Sequence, residues 1–339
     1  MNTSVFGSGA WGTAIALLLH DNGHKVTLWS KFPEEVEMLR KDRENPFLAG
    51  VGIPGDISIT SSIEDAASGA GIAVIAVPSY AVRETVAALK GLIGDECVIV
   101  CMSKGIEKDT SSLFTSIVKN TFGDDVLVAA VSGPTHAEEV ARRIPTACVA
   151  ASDSLVLAEK VQGLLMNEYF RVYTSVDVIG VELGAALKNV IALCAGVCDG
   201  LGMGDNTIAM LMTRGIAEIA ELCVAMGGRK ETLAGLAGLG DLIVTCMSRH
   251  SRNRRAGVLI GKGMSVEEAM REVGAVVEGY YAAKAAYNLA GLMGVDMPIC
   301  IEAYKVLYEG KPHFDAIRDL MGRDRRSEYS IEGKSWVSG

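Results

Sequence analysis

The stretch VFGSGAWGTAIALLLHDNGHKVTLW near the N-terminus constrains the fold more than any other part of the chain. Gly7, Gly9 and Gly12 form a G-x-G-x-x-G pattern directly after a short β-branched run. They open a helical period whose apolar face is Ala14, Leu17 and Leu18, and a DNG turn then leads into a second run, KVTLW. Strand, glycine turn, helix and strand in that order make a βαβ unit, which calls for a parallel sheet with helices packed on it. The glycines permit a tight turn, close approach of backbone to a pyrophosphate and tight packing of helix on strand. The helix N-terminus meanwhile offers free N–H groups and the positive end of its dipole. This part of the chain is therefore read as a dinucleotide cradle.

The same texture continues to about residue 180. Short apolar runs (TSVF, KVTLW, ISIT, GIAVIAVPS, CVIVCMSKG, DVLVAAVSGP, TACVAAS and FRVYT) alternate with helical stretches, as in doubly wound α/β folds. After Val181 the strand-like runs stop, and Ala-, Gly-, Met- and Leu-rich segments with helical period take over. The expectation is an α/β chain: a Rossmann-type, mainly parallel sheet over residues 1–180, and an all-helical domain over 181–339, with a ligand cleft between them. A chain of 339 residues, 49% hydrophobic, can supply two cores. The closing EGKSWVSG reads as a loose tail.

Charge and cysteine usage narrow the functional classes. A net charge of −9 argues against a general nucleic-acid or acidic-membrane surface. The eight cysteines sit mostly inside apolar runs such as CVIVC and ALCAGVC, without the spacing or neighbouring histidines of a zinc site. They are read as reduced thiols, and no metal is expected. With no leader-like start and no uncharged apolar span of 18 residues or so, the expectation is a soluble, cytoplasmic protein that is not embedded in a membrane.

One lysine conflicts with its surroundings. In ELGAALKNVIALCAGV, Lys188 shares a helical stripe with Gly184, Ala185, Ile191, Ala192 and Ala195. An ammonium buried there must reach water, find a partner, face a polar cavity or lose its proton. Three strand-end segments, AVPSYAV, CMSKGIE and VSGPTHAEEV, lie where an α/β sheet places its chemistry, and Lys104 belongs to the second. Neither Tyr80 nor His136 is assigned chemistry; His136 reads as a surface residue on a helix beginning after Pro134. In the helical half, Asp241 follows a glycine-rich segment at the head of an apolar run, as a first-turn acid would. In SRNRRAG, Ser251 can cap a helix whose first turn carries Arg252 and Asn253. Cations in a first turn oppose the helix dipole unless an anion sits there, and a phosphate would remove the conflict.

The second strand bears on which dinucleotide binds. An NAD site usually places Asp or Glu about 20 residues beyond the glycines to accept the ribose 2′-hydroxyl. Here LWSKFPEE sets Ser30 and Lys31 at that point. The reading favours NADPH, with NADH also usable.

Taken in order, GSGAWGTAIA, SKGIE, SGPTHAEEVA, ELGAALKNVIALCAG, GLAGLGDLIVTC, SRNRRAG and VVEGY resemble the bacterial NAD(P)-dependent glycerol-3-phosphate dehydrogenases across nearly the whole chain. The resemblance implies a fold like that of 6-phosphogluconate dehydrogenase. It also implies reversible hydride transfer between a nicotinamide nucleotide and dihydroxyacetone phosphate or glycerol 3-phosphate, a step that supplies phospholipid backbones. By the same resemblance Lys188 is the proton-transfer lysine, and Lys104 approaches both substrate and cofactor. Gly133, Thr135, Asp241, Ser251, Arg252 and Asn253 meet the substrate. Gly7, Gly9, Ala10, Trp11, Gly12, Lys31, Ala137, Arg252, Val276 and Glu278 meet the cofactor. Family members often carry Ser at the position of Ala10, an aromatic residue at that of His136, and more arginine where Ser30 and Lys31 stand. Two other readings share these features. One is a related 3-hydroxyacid or 6-phosphogluconate-type dehydrogenase, which the cations of SRNRRAG suit less well than a phosphate substrate does. The other is a non-catalytic dinucleotide sensor, which would not need the embedded lysine. The Ala- and Met-rich helices offer a surface for a homodimer.

Overall fold

The computed structural model describes residues 1–325, 327 and 328, so EGKSWVSG lies outside the described residues. Each of the eight apolar runs forms one strand: β1 (Asn2–Phe6), β2 (Lys25–Trp29), β3 (Ser58–Thr60), β4 (Ile72–Ile75), β5 (Val98–Cys101), β6 (Val128–Ser132), β7 (Thr146–Ala151) and β8 (Phe170–Ser175). They make one sheet in the order β3-β2-β1-β4-β5-β6-β7-β8. Neighbours from β3 through β6 are parallel. β7 is antiparallel to β6 and parallel to β8, so the last two strands run against the rest.

Helices cover both faces, which is why the central strands are apolar at every position rather than at alternate ones. The pleat sends successive residues to opposite cores. Val5, Val74 and Val100 pack with the Ala10–Asp21 helix on one side, and Phe6, Ile75 and Ile99 pack with the Val82–Ala88 and Phe114–Phe122 helices on the other. From β1 the chain winds outward to β3 and then returns to β4 on the other side of β1. The carboxyl ends of β1 and β4 therefore frame the crevice in which such sheets bind ligands.

Beyond Ser175 the described residues are helical or irregular. The Val178–Gly200 helix begins at Asp177, whose carboxylate accepts from the Gly180 N–H at 2.9 Å. Around it pack the Asp205–Ala225, Asp241–Met247, Arg252–Gly261 and Glu278–Met293 helices. With 23 residues and a mean hydropathy of 1.7 it has the length and composition of a membrane span, but its most apolar window is 83% buried by protein. A helix apolar all round is what a core hub requires.

Two contacts of this hub position the site. Gly196 and Gly257 bring the Val178–Gly200 and Arg252–Gly261 helices backbone to backbone. A Cβ on Gly196 would lie 2.2 Å from the Arg254 carbonyl oxygen, and one on Gly257 2.1 Å from that of Leu193. Glu182, one turn into the hub, reaches the other half of the molecule. Its carboxylate accepts from the Phe114 N–H (3.0 Å), the Thr115 N–H (3.2 Å) and the Thr115 hydroxyl, meeting donors at a helix N-terminus. Burial raises the Glu182 carboxyl to about 7 against the opposing pull of those donors.

Gly257→Ala is expected to destabilise the fold by about 1–3 kcal/mol, because neither backbone can withdraw without moving a helix. Glu182→Ala, which strands buried N–H groups, should cost about 2–4 kcal/mol, and Glu182→Gln distinctly less. Denaturant unfolding of the three variants beside wild type measures both effects.

Candidate active site

The carboxyl ends of β5 and β6 face the hub helix across a small polar cluster. Just past β5, Lys104 extends its ammonium to the Gly133 carbonyl (2.8 Å), the Thr135 hydroxyl (3.1 Å) and Asp241 Oδ2 (2.9 Å). From the hub, Lys188 donates to Asp241 Oδ1 and, at 2.7 Å, to Thr245 Oγ1. Asp241 thus shares its two carboxylate oxygens between two lysines from different halves of the molecule. It opens the Asp241–Met247 helix after a π-turn at Leu236–Gly240. Its side chain does not cap that helix. Lys188 is only 4% exposed and Asp241 1%, so neither charge can rely on water and each depends on its partners.

The electrostatics follow from that burial. Desolvation pushes the Lys188 ammonium down, Asp241 opposes the shift and the like charge of Lys104 adds to it, leaving Lys188 at about 8. Burial alone would raise the Asp241 carboxyl, but the two ammoniums more than offset it and hold Asp241 below the usual carboxylate range. His136 is half-buried rather than a surface residue, and the helix after Pro134 begins at Ala137. Burial and then the positive charges of Lys104 and Lys188 push its imidazole down.

A chain of side-chain and backbone bonds links this cluster to the SRNRRAG and VVEGY segments. Asn253 donates to Asn189 Oδ1 (2.9 Å), beside Lys188 in sequence, and accepts from the Gly279 N–H (2.8 Å). Glu278 next to it accepts from the Ser79 N–H (3.1 Å) just beyond β4. Ser251 caps the Arg252–Gly261 helix through the Arg254 N–H (3.2 Å), and Arg254 itself is spent on Asp199 (2.7 Å). Arg252 remains exposed in the first turn.

The glycine turn is built as a close approach of backbones. A Cβ on Gly12 would lie 1.8 Å from the Gly7 carbonyl oxygen, and one on Gly7 2.6 Å from that of Ala76, whereas nothing stands within 4 Å of a Cβ on Gly9. Open space therefore lies over the head of the Ala10–Asp21 helix, which has no side-chain cap. Ala10 opens that helix, and the Trp11 indole N–H is held by the Met102 carbonyl at 2.9 Å. Across the crevice Glu278 Oε2 is buried without a partner, next to Gly105. Burial raises that carboxyl, against the Ser79 N–H. A free helix N-terminus and an orphaned acceptor fit a nicotinamide nucleotide laid between them.

Of the residues expected from sequence, the structure gathers Lys104, Gly133, Thr135, Lys188 and Asp241 into one bonded cluster. It ties Asn253 and Glu278 to the cluster's edge, with Ser251, Arg252 and Val276 beside them in the chain. Ala137 heads its own short helix after Thr135. Lys31 stands apart, in an exposed ion pair with Glu84 (2.6 Å). Sequence reasoning missed Thr245, which lies four residues after Asp241 and so on the same helical face, and Asn189. Periodicity would have found the first; only the fold pairs the second with Asn253. The eight cysteines are free thiols.

Fold and site together define a Rossmann-type nucleotide-binding protein whose helical half carries a buried lysine into the crevice. Comparison with known proteins is more specific. Residues 2–158 match the family model described as NAD-dependent glycerol-3-phosphate dehydrogenase N-terminus, and residues 177–318 the one described as its C-terminus. The chain is 51% identical over 328 residues to glycerol-3-phosphate dehydrogenase [NAD(P)+] of Thermoanaerobacter sp. strain X514, covering 97% of this chain and 99% of that one. It is 49% identical over 335 residues to the enzyme of that name from Fusobacterium nucleatum, covering 98% and 99%. A crystal structure of glycerol-3-phosphate dehydrogenase from Coxiella burnetii superimposes with a TM-score of 0.91 at 35% identity, covering 95% of this chain and 99% of that one. The chain belongs to the NAD(P)-dependent glycerol-3-phosphate dehydrogenase family.

Asp241→Asn would leave the buried Lys188 ammonium and the partly buried one of Lys104 without a counter-charge, and a loss of about 3–5 kcal/mol is expected near pH 7. The variant's Lys188 would titrate lower still, so between that pH and the unfolded value near 10.4 the folded state binds fewer protons than the unfolded one. Stability should therefore recover as pH rises. Urea unfolding at pH 7 and pH 9 tests the sign.

Proposed function

We propose that this protein catalyses the reversible NAD(P)H-dependent reduction of dihydroxyacetone phosphate to sn-glycerol 3-phosphate, supplying the backbone for glycerophospholipid synthesis. The observation that carries the proposal is the pair of lysines on one buried aspartate at the crevice, with Lys188 brought to about 8. A nicotinamide nucleotide, when bound, supplies hydride in reduction and accepts it in oxidation. Hydride transfer to a ketone also requires a proton at the carbonyl oxygen, and the donor works best when its pKa lies near the operating pH.

Lys188 fills that role. At pH 7 it is mostly protonated, and its Nζ gives a proton to the oxygen of the carbonyl under reduction; in the reverse direction the neutral amine takes the hydroxyl proton. Thr245 and Asp241 hold Nζ in position. Lys104 brings a second positive charge against the substrate oxygens, with Gly133 and Thr135 lining its approach. Ser251, Arg252 and Asn253 hold the phosphate at the head of their helix, where a dianion removes the repulsion between first-turn cations and helix dipole. Binding energy gained on the phosphate, remote from the reacting carbon, orients the carbonyl. Ala10, Trp11, Ala137, Val276 and Glu278 face the nucleotide. The domains are residues 1–180 and 181–339, with substrate between them. The protein works in the cytoplasm without a metal, and a second copy is its expected partner through the helical half.

Lys188→Ala should lower kcat by about 10²–10⁴-fold while the variant still binds nucleotide. With the wild type, reduction needs the protonated amine, so its rate should fall as pH rises through about 8; oxidation needs the neutral amine and should rise over the same interval. Arg252→Ala should raise KM for dihydroxyacetone phosphate by about 10–100-fold with a smaller effect on kcat. Reduced-nicotinamide absorbance follows all three, falling as the ketone is reduced and rising as the alcohol is oxidised. No oxidation of either nucleotide by wild type with this substrate would overturn the proposal and turn attention to 3-hydroxyacids.

A further inference from the structure

The absence of an acid directly after β2 suggested a site for a 2′-phosphate, but the fold returns an acid to that point. β1 and β2 are paired in register through Phe6 and Trp29, and the Gly7 N–H continues the ladder to the Trp29 carbonyl at 3.0 Å. Ser8 and Ser30 therefore leave the two strand ends side by side. Glu35, in the first turn of the Pro33–Asp42 helix, spans both: Oε2 accepts from the Ser8 hydroxyl at 2.8 Å and from the Ser30 hydroxyl at 2.6 Å. A carboxylate bridging the glycine turn and the end of the second strand occupies the position from which dinucleotide folds read the ribose 2′-hydroxyl. Here it arrives five residues beyond Ser30, from a helix, so spacing along the chain did not reveal it.

Charge around this point favours a neutral hydroxyl over a phosphate. Glu34 and Glu35 are both in the first turn of their helix, and so already occupy the positive end of its dipole. Lys31, the cation expected to meet a 2′-phosphate, is exposed and paired with Glu84. Solvent screens an exposed ammonium strongly, whereas Glu35 is half-buried and held by two hydroxyl donors. The half-buried carboxylate outweighs the exposed, already paired lysine.

We infer that Glu35 is the nucleotide-specificity residue of this protein, accepting from the adenosine ribose 2′-hydroxyl and repelling a 2′-phosphate, so that NADH is preferred to NADPH. This rests on the proposed nicotinamide-dependent function and revises the preference for NADPH suggested by Ser30 and Lys31. The test is direct binding, by titrating NADH and NADPH into wild type and Glu35→Gln and following nicotinamide fluorescence, which needs no turnover of any substrate. Wild type should bind NADH at least about tenfold more tightly than NADPH. Glu35→Gln should narrow that ratio from both sides, NADPH tightening as the charge is removed and NADH weakening as its anionic acceptor gives way to a neutral one. Equal or tighter binding of NADPH by wild type would overturn the inference without any variant being needed. So would a ratio unchanged in a Glu35→Gln protein that unfolds at the wild-type temperature. Selective NADH binding without oxidation by dihydroxyacetone phosphate would leave Glu35 in its role and reject the substrate instead.

Discussion

A single carboxylate holds the crevice together. Asp241 is buried with two ammoniums on it, one from a strand end of the sheet and one from the hub of the helical half. Such an arrangement is weak as a source of stability, because desolvating three charges costs about what their attraction returns. It is strong as a specification: Lys188 without Asp241 would be an uncompensated buried charge, so the hub helix is held where its ammonium meets that carboxylate. The same geometry leaves a net positive cluster facing the crevice, suited to a substrate that brings negative charge.

The supporting structure keeps that meeting point fixed. Glu182 binds the hub helix to the N-terminus of the Phe114–Phe122 helix, and the Asn189, Asn253 and Gly279 bonds carry the connection to two further helices. Glu278 closes it onto the loop beyond β4. Residues far apart in the chain are thus tied together near the cluster, and Glu182, Asn189, Asn253 and Glu278 are each carried by a helix.

Much of this was legible in the sequence because the relevant signals are local. A βαβ unit with its glycines spans few residues, and eight β-branched runs announce eight strands. Lys188 was conspicuous because it broke an apolar helical stripe. What stayed hidden depends on pairings between distant segments. Nothing near Asp241 in the chain says that both its oxygens are taken by lysines, and composition alone allowed it to be an ordinary first-turn acid. The bridge that Glu35 makes to Ser8 and Ser30 was hidden for a related reason: the rule that looks for an acid after the second strand counts residues along the chain, whereas this carboxylate reaches the strand ends from the helix that follows. Lys31 shows the converse, a residue well placed in sequence whose side chain turns to Glu84.

The glycine contact between the Val178–Gly200 and Arg252–Gly261 helices has a consequence for how this site can change. Where helices meet through side chains, a substitution can be absorbed by rotamer adjustment, and the distance between them drifts by fractions of an ångström. Gly196 and Gly257 bring main chain against main chain, and there is no rotamer to adjust. The spacing between Lys188 and the head of the Arg252–Gly261 helix is therefore set like the length of a rigid ruler. A change of side chain at Lys188 or in the first turn of the Arg252–Gly261 helix leaves the separation of the two main chains as it is.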